Sequence, residues 1–483
     1  MRRTLLLAAF VALAVAAPAA AFDNTAPLGA KEWYLTADKA WDYWPTQPTL
    51  APVKVAIVDS GIDYGHPEFV GRIAGGRTFV GGTWKHDSDG HGTFVAGEIA
   101  AGGQQMAGLA FNAKLLIAKV VKPDGSVSLA GEVAAIRWAA NEGARVINLS
   151  LGGVRDPLNS QLDTYSASEQ AAVDYAYGKG AVVVAAVGNG QESPQTPWRY
   201  ADYPAALPHV VGVSAFGPHG GVPTFSNRDA AYVDIAAPGV DIFSTVPRNL
   251  VDSSRPLCTG HPYSDCGPFE FRNAIGTSFA APQVTAAAAL LIGQDPSLTP
   301  DQVSWLLERS ATDERTATGC SLCTPGRDAY TGWGRLNVDA ALAALAAGNL
   351  PPADRYEPDD NAGSSAHAFG PARTITATLD FWDDQVDVFS INVPAGDRLY
   401  TRLTPLVPAQ TTLVLWKPGT TTVDGLSTAL QNQAARSLAV GLQQRLAFTA
   451  SVGGTYYVEV KLVHQTRNPV PYTLSVAVKP SGV

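Results

Sequence analysis

The chain has 483 residues, long enough for two or more domains with buried cores. Its 46% hydrophobic and 16% charged residues describe folded globular protein and exclude extended disorder. The formal net charge is −9 and no Lys/Arg block occurs in the body of the chain, which argues against nucleic-acid binding, since that needs a basic surface to displace counterions.

The N-terminus reads MRRTLLLAAFVALAVAAPAAAFDN. Two arginines precede an apolar run from Leu5 to Ala17, and Ala19 and Ala21 fit a cleavage site before Phe22. This predicts a signal peptide over 1–21, because the run is too short to span a bilayer. Export without a membrane anchor is expected, to an extracellular or periplasmic location. From Lys54 to Ala347, β-branched runs alternate with alanine-rich stretches. VKVAIVD (53–59), AKLLIAKVV (113–121), ARVINLSL (144–151), AVVVAAVG (181–188) and HVVGVSAF (209–216) read as parallel strands buried on both faces. HGTFVAGEIAA, GEVAAIRWAANEG and SEQAAVDYAYGKG have helical spacing, the last two closing on glycine. The alternation predicts an α/β fold, doubly wound around a mostly parallel sheet, over residues 22–348. AGNLPPADRYEPDDNAGSS is rich in Pro, Gly, Asp and Ser and marks a linker at 349–355. Beyond it TITATLDF, DVFSINVP, RLYTRLTP, TTLVLWKPG, TYYVEVKLV and PYTLSVAVK alternate with period two. They predict a smaller all-β sandwich over 356–483.

The four cysteines are Cys258, Cys266, Cys320 and Cys323. An even number suits two disulfides in an oxidising compartment. Three pairings are possible. Local closure, Cys258–Cys266 and Cys320–Cys323, is favoured because each pair lies within one Gly/Pro-rich loop.

Three segments carry groups suited to catalysis. Asp59 ends a buried strand in VAIVDSGID, where open parallel sheets bind ligands, although Asp is also a common turn residue. His91 stands between two glycines at a helix entrance in DGHGTFVAG. Ser278, in GTSFAAPQV, enters an alanine-rich helix as either a cap or a nucleophile. His86, Asp87, Asp89 and His91 form a dense group of ligand-type residues, but their spacing matches no standard zinc pattern. His66, in GHPEF, reads as a turn residue.

Those segments stand in one order with VINLSLGG, AAVGNG, YVDIAAPGV and TGWGRLNVDAAL. Together, from about Trp33 to Leu345, they resemble the subtilisin-like serine peptidases. The resemblance implies a secreted serine endopeptidase, a monomer acting on protein or peptide substrates, with Asp59, His91 and Ser278 as its triad. It makes Asn189 the oxyanion-hole side chain. It sets Ser150, Leu151, Gly152 and Gly153 along one side of an extended peptide, and a strand beginning at Asp124, Gly125 and Ser126 along the other. The register of YPAALPHVVGVSA puts Asp202 at the floor of the S1 pocket. There Asp202 favours Lys or Arg at P1, or else turns to solvent or to Arg199.

The chemistry implied requires no cofactor. Glu68 matches one ligand of the family's calcium loop, but AAGGQQMAGLA lacks the other acidic and Asn ligands, so structural calcium stays unassigned. RYEPDD, DDQVDVFSINVPAG and GGTYYVEVKL with PYTLSVAV resemble the bacterial pre-peptidase C-terminal domain, an accessory sandwich. Within it Asp383, Asp384 and Asp387 read as solvated turn acids ahead of calcium ligands. The alternative from another class is a catalytically silent peptidase scaffold serving as a binding or adhesion protein.

Overall fold

The computed structural model describes residues 25–250, 270–350 and 356–480, apart from 41, 43–47, 123, 349, 357–358, 360, 365, 371, 381–383, 424–430, 438–442 and 464–468. The expected signal peptide, most of the linker, Cys258, Cys266 and Asp383 lie outside the described residues.

Seven strands form the central sheet: Val53–Asp59 (β1), Ile73–Thr78 (β2), Ala113–Lys119 (β3), Val146–Leu149 (β4), Val182–Ala186 (β5), Val210–Phe216 (β6) and Ile235–Pro238 (β7). They hydrogen-bond in the order β2-β3-β1-β4-β5-β6-β7, and every neighbouring pair is parallel. β1, β3, β4, β5 and β6 correspond to the five apolar runs. β2 was not expected, since Gly75 and Gly76 lower its intrinsic strand tendency; pairing with β3 holds it.

The helices are Trp33–Ala37 (α1), His91–Ala100 (α2), Leu129–Asn141 (α3), Ala167–Tyr177 (α4), Ala281–Gln294 (α5), Pro300–Arg309 (α6) and Val338–Ala347 (α7). Successive side chains of a strand point to opposite faces, and β1 uses both. Val55 and Ile57 pack with Phe94, Ile99, Val284 and Leu291 of α2 and α5. Ala56 and Val58 pack with Ile136 and Val173 of α3 and α4. Each such aliphatic side chain contributes about 1.5–3 kcal/mol when fully buried. α5 is buried from Ala281 to Gly293, as a helix apolar on all sides must be. The hydroxyls of Ser128 and Ser166 cap α3 and α4 by accepting the N–H groups of Gly131 and Glu169.

Ile242–Thr245 (β8) and Phe271–Ala274 (β9) make an antiparallel ribbon leading into the Ser278 segment. Cys320 and Cys323 are bridged, with Cα atoms 5.4 Å apart, which agrees with local closure for that pair.

Beyond α7 come His367–Ala368 (β10), Ala372–Leu379 (β11), Val386–Val393 (β12), Arg398–Pro405 (β13), Thr411–Trp416 (β14), Gln433–Arg436 (β15), Gln444–Thr449 (β16), Gly454–Leu462 (β17) and Val470–Lys479 (β18). Two sheets result, β10-β12-β17-β14-β15 and β11-β18-β13-β16. Phe389, Leu399, Leu403, Val458, Val460 and Leu474 fill the space between them. The expected all-β sandwich is present. Two of its acids differ from expectation. Asp384 and Asp387 are buried, and Asp387 accepts a hydrogen bond from the Tyr472 hydroxyl. Position within an alternating strand, invisible in the acidic run itself, drew Asp387 inward.

Candidate active site

The carboxyl ends of β1, β4 and β5 open onto one cleft, the usual ligand position in an open parallel sheet. Asp59 ends β1 and is 1% exposed. Its Oδ1 accepts the Ser60 N–H at 2.7 Å, and the buried Lys119 ammonium donates to the Ser60 carbonyl. His91, the first residue of α2, brings Nδ1 to 2.9 Å from both Asp59 oxygens. An ionised carboxylate only accepts, so Nδ1 carries the proton and Nε2 remains the basic atom. Burial works against the imidazolium, but the Asp59 carboxylate, with Asp89 and Asp87, outweighs it and pushes the His91 pKa up to about 9.

Asp87 explains the dense His/Asp group around His91. Its Oδ1 accepts from Asp89 N–H (3.1 Å), Gly90 N–H (2.8 Å) and the Ser60 hydroxyl (2.9 Å). Its Oδ2 accepts the Thr93 N–H (2.9 Å) and hydroxyl (2.7 Å). The carboxylate therefore ties the start of α2 to the β1 loop, and its lone pairs are used for that. Among the described residues, no group of three or more His, Cys, Asp or Glu is placed to hold a metal ion. His66 serves its turn as expected, Nδ1 accepting the Glu68 N–H.

Ser278 sits in one 3₁₀ turn, Thr277–Phe279, which precedes α5 rather than forming its first residues. Gly276 has φ +153°, a conformation side chains disfavour, and it sets the sharp approach to this turn. The Ser150 hydroxyl donates to the Ser278 carbonyl at 2.7 Å, while Asn148 Nδ2 donates to Ser150 and Thr285 donates to Asn148 Oδ1, both at 2.9 Å. This relay fixes the Ser278 backbone to β4 and α5. Ser150 thus has a structural task that its sequence motif did not reveal. Asn189 Oδ1 accepts the Thr277 N–H (3.1 Å) and hydroxyl (3.2 Å). Only oxygen can accept from an N–H, so the amide orientation is determined and Nδ2 is its donor end.

Asp59, His91, Asn189 and Ser278 line the cleft with Ser150, Leu151, Gly152, Gly125 and Asp202. Gly153 departs from expectation: its N–H and C=O pair with Tyr203 at 2.8 and 2.9 Å, off the cleft lining. The segment around Gly125 is also a turn instead of a strand. Asp124 Oδ1 accepts the Ser126 N–H and hydroxyl, and an isolated bridge joins Val121 to Val127. Asp89, Glu192, Thr277, Val121, Val127, Ala186 and Gly188 complete the lining and were missed. Each lies within three residues of a recognised motif position, which is the signal that could have found them.

Asp202 is 4% exposed, so it does not turn to solvent. Its Oδ1 has no hydrogen-bond partner, while the Asn227 amide donates to the carboxylate. A Cβ on Gly188 would lie 1.9 Å from Oδ2, so only glycine leaves room for the acid. Arg199 is exposed, and no ion pair of Asp202 occurs among the described residues. Burial, reinforced by Glu192, pushes the Asp202 pKa up to about 8.

Glu68 does not fit a calcium site. Its carboxylate accepts the backbone N–H groups of Gln104 (3.1 Å), Gln105 (2.5 Å) and Met106 (3.2 Å). Those donors present partial positive charge and would repel a cation. The acid itself tethers the loop after α2. Removing several charge-assisted bonds and orphaning the buried Met106 N–H makes Glu68→Ala destabilising by about 2–4 kcal/mol. A denaturation midpoint unchanged from wild type would contradict that role.

The Subtilase family profile matches residues 51–334, which include every cleft residue named above. Over 294 residues the chain is 35% identical to Subtilisin DY from Bacillus licheniformis, covering 60% of this chain and 91% of that protein. Over 313 residues it is 32% identical to Thermitase from Thermoactinomyces vulgaris, covering 64% and 93%. Among solved structures, Sphericase aligns with a TM-score of 0.51 at 27% identity, covering 65% of this chain and 100% of its own. A lanthipeptide protease aligns with a TM-score of 0.53 at 25% identity, covering 65% and 95%. With the parallel sheet and the cleft at its carboxyl edge, this likeness assigns the chain to the subtilase family, and the protein is a serine endopeptidase.

Proposed function

We propose that Ser278 attacks the scissile carbonyl, His91 Nε2 takes and later returns the proton, and Asp59 holds the imidazole tautomer and its charge. Asn189 Nδ2 and the Ser278 N–H then donate to the oxyanion of the tetrahedral intermediate. The observation that carries this reading is His91 Nδ1 at 2.9 Å from both oxygens of Asp59, in a cleft that also holds Ser278 and Asn189. Ser150, Leu151 and Gly152 on one side and Gly125 on the other receive an extended peptide by backbone pairing. Digestion of casein tests it: internal cleavage by the wild type supports the reading, and inert, well-folded protein would favour a binding scaffold.

His91 must be neutral to accept the proton, so its raised pKa of about 9 has a signed consequence. On an uncharged peptide, kcat/KM climbs through neutral pH and levels off only in the alkaline range. A profile already half-maximal at about pH 6.5, the ordinary histidine value, would contradict the Asp59–His91 coupling.

Asp202 gives the site a preference for Lys or Arg at P1, because a buried carboxyl lacking a cation gains most from one. With a pKa of about 8, the acid must lose a proton before it can pair. The Arg-over-Leu ratio of kcat/KM therefore rises with pH up to about 8, by as much as about tenfold per unit. In Asp202→Gly the ratio falls toward one and its pH dependence disappears. Equal rates on Arg and Leu substrates at about pH 9 in the wild type would remove the proposal.

The wider layout belongs to the same reading: a signal peptide at 1–21, a peptidase domain at 22–348, a linker at 349–355 and an accessory sandwich of the pre-peptidase type at 356–483. The product is exported and monomeric. No helix of the described residues is long and apolar enough to cross a membrane.

A further inference from the structure

The outer face of the β11-β18-β13-β16 sheet has an unusual arrangement of charge. Along β13, Arg398, Tyr400 and Arg402 point outward while Leu399, Thr401 and Leu403 are buried. Register sets Arg402 directly opposite Arg445 of β16, and Arg398 directly opposite Lys479 of β18. All four cations are exposed on the same face. Like charges opposed across a strand pair destabilise a sheet, and here two such pairs flank one tyrosine. Arg398 and Lys479 contact the Tyr400 ring at 5.2 and 5.8 Å, and Arg445 donates to the Gln443 amide oxygen. Among the described residues none of the four pairs with a carboxylate. This occurs in a chain whose net charge is −9.

Beside the Arg402–Arg445 pair lies a depression of about 840 Å³, which Arg373 also lines and which has no acid in its lining. Its floor is small, formed by Ala447, Ser475 and Ala477, and Tyr400 stands 38% exposed within it. Arg398 and Arg402 are four residues apart on one strand, which separates the two cation pairs by about 14 Å. Guanidinium forks bind carboxylate or sulfate bidentately, and a flat aromatic ring over a small floor accepts a sugar ring. An acidic peptide fits less well. Extended peptides add to open sheet edges, whereas β13 and β18 are each paired on both sides.

We propose that this face binds an acidic polysaccharide, with uronate or sulfate groups seated between the opposed cations and a sugar ring on Tyr400. The anions relieve the repulsion within each pair, and the endopeptidase is thereby held on a polyanionic carbohydrate matrix.

The test uses the full chain with Ser278→Ala, which prevents self-digestion, titrated with polygalacturonate, dextran, poly-glutamate and single-stranded DNA at several salt concentrations. Polygalacturonate binds, dextran does not, and the other two polyanions bind at least about tenfold more weakly. Arg402→Gln with Arg445→Gln weakens polygalacturonate binding at least about tenfold and flattens its salt dependence. That double variant also melts at a higher temperature, because the repulsion is gone, so its loss of binding does not reflect unfolding. Tyr400→Ala weakens polygalacturonate and leaves poly-glutamate as before. Absence of polygalacturonate binding, equal affinity for poly-glutamate or DNA, or unchanged affinity in the double variant would each overturn the proposal.

Discussion

Replacing Ser278 with alanine will lower kcat by on the order of 10⁵–10⁶ while KM changes only a few-fold. The reason is that, in the proposed mechanism, nucleophile and base act as a unit. Without the hydroxyl, the Asp59–His91 pair has no proton to accept, although the backbone pairing that binds peptide is untouched. For the same reason His91→Ala alone costs about as much, and the double variant adds little to either single one. Asp59→Asn keeps the shape but loses the carboxylate that fixes Nδ1–H, at about 10⁴-fold in kcat. Single-turnover kinetics on a peptide anilide, with near-UV circular dichroism to check the fold, measures all four. Additive losses, or a Ser278→Ala variant within about a hundredfold of wild type, would show that another group performs the attack.

The second large effect falls on Asn189. Asn189→Asp will lower kcat by about 10²–10³, or roughly 3–4 kcal/mol of barrier, with little change in KM. The aspartate keeps an oxygen for the Thr277 N–H and hydroxyl, so the anchor at 3.1 and 3.2 Å survives. What disappears is Nδ2, the donor end proposed to meet charge developing in the transition state. Asn189→Ala loses both. It should match or exceed the kinetic defect and also lower stability by about 1–3 kcal/mol, because the buried Thr277 N–H is orphaned. The pair of variants separates catalysis from packing: a near-normal kcat in Asn189→Asp would assign Asn189 a structural role alone.

Much of the fold was legible because burial on both faces leaves continuous apolar runs, as in β1, β5 and β6. β2 was hidden since Gly75 and Gly76 carry no strand signal and pairing decides their state. The proposed catalytic groups were readable as candidates because Asp59 and His91 stand at element ends, within motifs whose order is itself informative. What escaped was tertiary. The Ser150 hydroxyl reaches a carbonyl 128 positions away, and Glu68 faces N–H donors where a cation ligand was considered. Asp202 lines the cleft, and its separation from Arg199 depends on burial that no local pattern encodes. The basic face of the sandwich is the clearest case. Arg398, Arg402, Arg445 and Lys479 are scattered among apolar residues, and only cross-strand register assembles them.

The central claim is that Ser278 is the nucleophile activated by His91. A serine-directed phosphonate should add one label to the native protein, and peptide mapping by mass spectrometry should find it on Ser278. Labelling should vanish in Ser278→Ala, nearly vanish in His91→Ala, and accelerate with pH as His91 loses its proton. Label on another residue, or undiminished labelling in His91→Ala, would contradict the account.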